Sequence, residues 1–151
     1  MIILAVDFGD ARTGLACCDR SELLASPAGV ISETDFEVCI QKTAEAAREH
    51  RAEQIVVGYP KNMNGTIGER AEKCALFAEK LRTLAGIETV LWDERCTTVS
   101  AHRYLNQTNT RGKKRKAVVD AVAATIILES YLAYRKNQQK ESEEGETVHG
   151  S

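Results

Sequence analysis

Ile2-Ile3-Leu4-Ala5-Val6-Asp7-Phe8-Gly9-Asp10-Ala11-Arg12-Thr13-Gly14-Leu15-Ala16-Cys17-Cys18 is the stretch that decides the fold. Ile2 to Val6 is an unbroken β-branched and aliphatic run, the composition of a strand buried on both faces. Asp7 to Gly14 supplies turn residues, and Leu15 to Cys18 reads as a strand returning beside the first. A third strand around Gly29 to Ser32 completes an antiparallel meander.

Beyond the meander the pattern changes to helix-strand units. Thr34-x-x-Glu37 is a capping box, followed at helical spacing by Phe36, Cys39, Ile40, Thr43, Ala44 and Ala47. Ile55-Val56-Val57 is a strand, Thr66-x-x-Glu69 a second capping box, and Ala71, Ala75, Phe77, Ala78 and Leu81 mark the helix behind it. Thr89 to Trp92 gives a fifth strand, Thr98 to Leu105 a short helix and Ala117 to Tyr134 a long final helix. A meander followed by such units predicts an α/β fold, a mixed five-stranded sheet with helices packed on it. Residues 1–135 form one domain, and the polar tail 136–151 is expected to be disordered. Ligands on such sheets gather at strand ends, which directs attention to Asp7, to the loop after Val57 and to the residues after Trp92.

The 151 residues, 43% hydrophobic and 28% charged, suit a single soluble domain with a core of its own. Asp7 cuts the first apolar run short, so it reads as neither signal peptide nor anchor, and no stretch reaches the length of a membrane span. The net charge is -2. The tail holds two of the 20 basic and four of the 22 acidic residues, leaving a neutral body of 18 each. Any nucleic-acid affinity must therefore come from a local patch. Five cysteines without a C-x-x-C spacing are read as reduced, mostly buried residues of a cytoplasmic protein. His50, His102 and His149 lack metal-ligand spacing and read as surface residues. Cys17 and Cys18 would face opposite sides of a strand, and Trp92 reads as sheet packing.

Three acidic positions sit in apolar surroundings: Asp7 at the end of the first strand, Asp93-Glu94 at the end of the fifth, and Asp120 in the last helix. Singly, each also has a plain reading as a turn, helix-entry or solvent-facing residue. Together, carboxylates from two strand ends and a helix converge on hard divalent cations, which choose oxygen ligands. Two such ions clamp the attacking and leaving oxygens of a phosphodiester. The alanines at 123 and 124 would let the last helix approach the sheet. Arg111-Gly112-Lys113-Lys114-Arg115-Lys116 runs into that helix and is suited to a phosphate backbone. Lys61, Asn62 and Asn64, in the loop Gly58 to Thr66, offer further donors to phosphate or sugar.

With these motifs in order, the chain resembles the YqgF family, also called RuvX, from Ile3 to about Tyr134. The resemblance is carried by Asp7-Phe8-Gly9 with Arg12-Thr13-Gly14, Val57-Gly58-Tyr59-Pro60 with Asn62-Met63-Asn64-Gly65, Asp93-Glu94-Arg95 with Thr97-Thr98, Lys114 to Lys116, and Asp120-Ala121 with Ala123-Ala124 and Ile127-Leu128. Tyr59 stands where leucine is commoner. The resemblance implies a ribonuclease H-like fold and a metal-dependent nuclease. Asp7, Glu94 and Asp120 would be its catalytic triad and would hold Mg²⁺ or Mn²⁺, as two ions. Glu94 is preferred to Asp93 on the family pattern alone. Arg12 and Arg95 join Lys61, Asn62, Asn64 and the basic run as nucleic-acid-binding residues. The implied substrate is precursor 16S rRNA, trimmed at its 5′ end, with ribosomal precursor particles as partners. Branched DNA, as for a Holliday junction resolvase, is the alternative, and a monomer or weak homodimer is expected. Ala123 stands where junction resolvases of this fold carry a further acid, which favours RNA. The hairpin from Asp7 to Gly14 is also similar to that of actin-like sugar kinases, which need two lobes where this chain has room for one. A non-catalytic nucleic-acid-binding module would retain the acids for folding.

Overall fold

The computed structural model describes residues 1–59, 68–93 and 121–138. Five strands, β1 (Ile3–Asp7), β2 (Arg12–Cys18), β3 (Ala25–Ser32), β4 (Gln54–Tyr59) and β5 (Glu88–Asp93), form one sheet in the order β3-β2-β1-β4-β5. β2 lies antiparallel between β1 and β3, whereas β4 runs parallel to both β1 and β5. Helices α1 (Phe36–Glu49) and α2 (Glu69–Ala85) provide the crossovers. A third helix, α3, occupies residues 121–138. No helix among the described residues is long and apolar enough to cross a membrane.

Both faces of β1 are covered, as its unbroken apolar run requires: Ile3, Leu4, Ala5 and Val6 are all fully buried. Leu4 and Val6 pack with Ile55 and Val57 under Cys39, Ile40, Ala44 and Ala47 of α1 and Cys74, Phe77 and Leu81 of α2. Ile3 and Ala5 face the other way, with Ala16, Cys18 and Val56 under Ala124, Ile127, Leu128 and Tyr131 of α3. The two cysteines of β2 divide between these layers. Cys18, Cys39 and Cys74 are buried and Cys17 is half-buried; all four are free thiols. Burial pushes the Cys17 and Cys18 thiols up.

Several element boundaries differ from the sequence expectation. β2 begins at Arg12, and β3 begins at Ala25 rather than near Gly29. A register shift between Leu15 and Ala16 pairs Leu15 with Gly29 and Ala16 with Pro27. Gly29 takes φ +122, which L side chains rarely adopt, and Pro27 is tolerated because β3 is an edge strand. α1 is capped by Asp35, whose Oδ1 accepts from the Val38 N–H at 3.0 Å, so Thr34 is not the cap. Glu33 Oε1 accepts from the N–H groups of Thr34 and Asp35 instead, each at 3.1 Å. α2 starts at Glu69 with Gly68 as its cap, and the extended Gly68 backbone accepts the Glu72 N–H at 3.0 Å; Thr66 lies outside the described residues. His50 ends α1 half-buried, with Nδ1 3.8 Å from Cys17 Sγ, rather than lying out on the surface. The expected helix Thr98 to Leu105, together with Cys96, His102 and His149, lies outside the described residues.

α3 runs on through 138, past the Tyr134 end read from the sequence and into the first residues assigned to the tail. The reason is Arg135, whose Nε donates to Glu22 Oε1 at 2.6 Å while its guanidinium lies 6.0 Å from the Tyr131 ring centre. Burial pushes the Glu22 carboxyl up, but the Arg135 hydrogen bond and charge outweigh it and hold it below its ordinary value of 4.5. A carboxylate depressed in the fold stabilises above its unfolded pKa and loses that contribution as pH falls through the folded value. Glu22→Gln is therefore expected to reduce stability by about 1–2 kcal/mol at neutral pH, with the gap to wild type closing as the solution is acidified below that range. Urea unfolding at neutral and acid pH checks both parts.

Candidate active site at the C-terminal edge of the sheet

Because β1, β4 and β5 are parallel, their C-terminal residues Asp7, Tyr59 and Asp93 reach the same edge of the sheet. Val6 is level with Val57 and Tyr59 with Asp93, so the carboxylates of Asp7 and Asp93 arise from strands about 10 Å apart, two strand spacings. They do not share a face. Alternation along β1 puts Asp7 on the side of Ile3 and Ala5, under α3. On β5 it is Val90 and Trp92 that pack toward α3, so Asp93 stands on the opposite side, beside Tyr59, which packs toward α1 and α2.

α3 packs on the face of the sheet that carries Asp7. Its C-terminal turns are fastened through Arg135 to Glu22 after β2 and through the Tyr131 hydroxyl to Gln54 Oε1 at the start of β4, 3.0 Å away. Trp92 Nε1 donates to Ser130 Oγ at 3.2 Å, and its ring packs edge-on to Tyr131, the packing role read from sequence. Residue 121 lies about 15 Å along the helix from Tyr131, and Ala124, Ile127 and Leu128 pack with Ala5 and Val56 between. Fully buried Ala124 and half-buried Ala123 keep that packing close. Asp120 is the residue before this segment and Glu94 the residue after β5; both lie outside the described residues.

The hairpin after Asp7 is held from three sides. Phe8 is buried, stacked on Phe77 with ring centres 4.5 Å apart and edge-on to Phe36 at 5.7 Å. The Gly9 N–H donates to the Thr13 hydroxyl at 3.4 Å, and that hydroxyl lies 3.3 Å from Cys39 Sγ, fully buried. A Cβ on Gly9 would sit 2.2 Å from the Arg12 carbonyl oxygen, so the turn admits no side chain there. Asp7 and Arg12 are thereby brought to the two ends of one rigid turn, both half-buried.

Beside the turn, Phe8, Gly9 and Asp10 face Glu69, Arg70 and Lys73 of α2 across a cleft of about 290 Å³. Lys73 Nζ donates to Asp10 Oδ1 at 2.7 Å, and Arg70 Nη2 to the Phe8 carbonyl at 3.4 Å. The Lys73 hydrogen bond and charge hold the Asp10 carboxyl below its ordinary value. Sequence reading passed over Arg70 and Lys73 because their spacing looks like the solvated face of a helix. Only the crossover brings that face to the Asp7 turn. Of the other sequence-assigned residues, Lys61, Asn62, Asn64, Arg95, Arg111, Lys113, Lys114, Arg115 and Lys116 lie outside the described residues. Among the described residues no group of three or more metal-ligating side chains occurs.

The sequence profile of the RuvX family, described as Holliday junction resolvase, matches residues 1–134. The chain belongs to the RuvX family. A member from Caldanaerobacter subterraneus subsp. tengcongensis, which bears the name "Putative pre-16S rRNA nuclease", is 43% identical over 139 residues, covering 91% of this chain and 99% of that one. A second with the same name, from Carboxydothermus hydrogenoformans, is 40% identical over 135 residues, with 89% and 98% covered. Among solved structures, RuvC of T. thermophilus in complex with a Holliday junction substrate superposes with a TM-score of 0.61 at 12% identity, over 89% of this chain and 96% of that one. The fowlpox virus resolvase in complex with Holliday junction DNA gives 0.57 at 10% identity, over 89% and 98%. At such identities the common property is the fold, and it is the ribonuclease H-like fold expected of a RuvX member.

Proposed function

We propose that the chain is a metal-dependent nuclease that hydrolyses phosphodiester bonds at the edge where β1, β4 and β5 end, with the 5′ extension of precursor 16S rRNA as its substrate. The observation that carries this reading is Asp7: a carboxylate at the end of the central strand, whose other residues are fully buried, on the face that α3 covers. Asp7, Glu94 and Asp120 are an all-oxygen donor set suited to Mg²⁺ or Mn²⁺. Placing Asp93 on the face away from α3 favours Glu94 as the fifth strand's contribution. The donor chemistry fits the metal, whose role when bound is to stabilise charge on the phosphate and lower the pKa of water. The chain's own part is to hold Asp7 still through the Phe8 stack and the Gly9–Thr13 hydrogen bond, and to present Arg12 and the basic run 111–116 to the phosphate backbone.

The names of the relatives favour RNA. The family description favours a second reading, a Holliday junction resolvase, which would act as a two-fold dimer to cut symmetrically. Cleavage of a labelled 5′-extended 16S precursor and of a four-way DNA junction, each with Mg²⁺, Mn²⁺ or chelator, separates them. Metal-dependent trimming of the RNA with the junction left intact is the expected result. Symmetric junction cutting alone would replace the RNA reading, and activity persisting in chelator would overturn the metal.

A further inference from the structure

We propose that the cleft between the Phe8–Asp10 turn and the first turns of α2 is a phosphate subsite for the nucleic-acid backbone, in which Lys73 exchanges Asp10 for a phosphodiester and Arg70 supplies a second cationic donor. The proposal rests on the nucleic-acid reading above.

Four observations carry it. Arg70 and Lys73 stand one helical turn apart and line the same cleft. The Lys73–Asp10 pair is exposed, with 46% and 74% of the two side chains open to solvent, so it is a weak interaction that a polyanion releasing its condensed counterions can displace. Lys73 does not depend on Asp10 for its position: its ammonium also lies 5.7 Å from the Phe8 ring centre and 5.8 Å from that of Phe36. Arg70 spends one hydrogen bond on the Phe8 carbonyl, and a guanidinium has five N–H groups to give.

The cleft lies at the same end of the sheet as Asp7 but on the α2 side, whereas Asp7 faces α3. Gly9 is two residues from Asp7, at most about 7 Å along the chain, so a strand bound at Asp7 has only the β1–β2 turn to cross before one of its neighbouring phosphates reaches the cleft. Asp10 then acts as a placeholder. It neutralises Lys73 while the cleft is empty and, being mostly exposed, can turn to solvent when phosphate arrives. Glu69, also in the cleft lining, opposes phosphate, so the two cations are needed together.

The test is binding of a short labelled single-stranded RNA and of a four-way DNA junction to the full chain in EDTA, across a salt titration. Asp10→Asn removes the competitor for Lys73 and is expected to tighten binding at low salt by up to about fivefold, the worth of an exposed ion pair. Lys73→Gln combined with Arg70→Gln is expected to weaken binding and to flatten the log–log salt dependence by about 0.7 for single-stranded RNA, one phosphate contact. Tightening by Asp10→Asn cannot arise from misfolding, so it carries the test if the double variant folds poorly. Unchanged or weaker binding by Asp10→Asn, or an unaltered salt slope in a folded double variant, overturns the subsite while leaving the nuclease reading intact. Failure of the wild-type chain to bind either nucleic acid overturns both.

Discussion

Asp7→Asn is expected to reduce metal-dependent cleavage by about a hundredfold to a thousandfold, while leaving the fold intact. The magnitude is the order lost when one preorganised electrostatic stabiliser is taken from an active site. The substitution is nearly isosteric, removing the negative charge and turning one acceptor oxygen into a donor, so the backbone ladder pair between Asp7 and Gly14 and the buried contacts of Ile3 to Val6 are kept. A melting temperature within a few degrees of wild type, with cleavage reduced to that extent, is the predicted combination. Retention of cleavage within about tenfold would remove Asp7 from the chemistry and, with it, the placement of the active site at this edge. Asp93→Asn is the matched comparison. Facing away from α3, Asp93 is expected to matter far less than Glu94, and equal losses at the two positions would contradict that assignment.

Gly9→Ala is expected to have the largest effect on stability, about 2–4 kcal/mol, measured by urea or thermal unfolding. The new Cβ would lie 2.2 Å from the Arg12 carbonyl, a backbone atom that cannot rotate away, so the turn between β1 and β2 must open. Opening it would also break the Gly9–Thr13 hydrogen bond and separate Asp7 from Arg12. Gly86→Ala is the informative control. Gly86 ends α2 at φ +68 with nothing near its missing Cβ, so only backbone conformation resists the change, at about 1–2 kcal/mol. If the two substitutions cost the same, steric closure of the Asp7 turn is not what Gly9 provides.

The sequence by itself determined the class of fold. Ile2 to Val6, too apolar for a one-sided strand, had to be covered on both faces, and Leu4 and Ile3 indeed look into separate layers. The apolar spacing of α1 and α2 named their buried faces, because a helix on a sheet buries the stripe its period creates. The motifs likewise carried the family, since they run along most of the chain in a fixed order. Local choices were less legible. Thr34 looked like the cap of α1, but Asp35 took that place, because neighbouring residues satisfy the same rule and only the packed helix chooses among them. Tertiary structure alone decided three things. It put Asp7 and Asp93 on opposite faces, since a strand's register relative to its neighbours is a property of the sheet. It extended α3 to 138 through the pair between Arg135 and Glu22, 113 positions apart in the chain. And it turned Arg70 and Lys73 from an ordinary charged helix face into one wall of a cleft beside the turn that follows Asp7, because proximity across a crossover leaves no trace in local spacing.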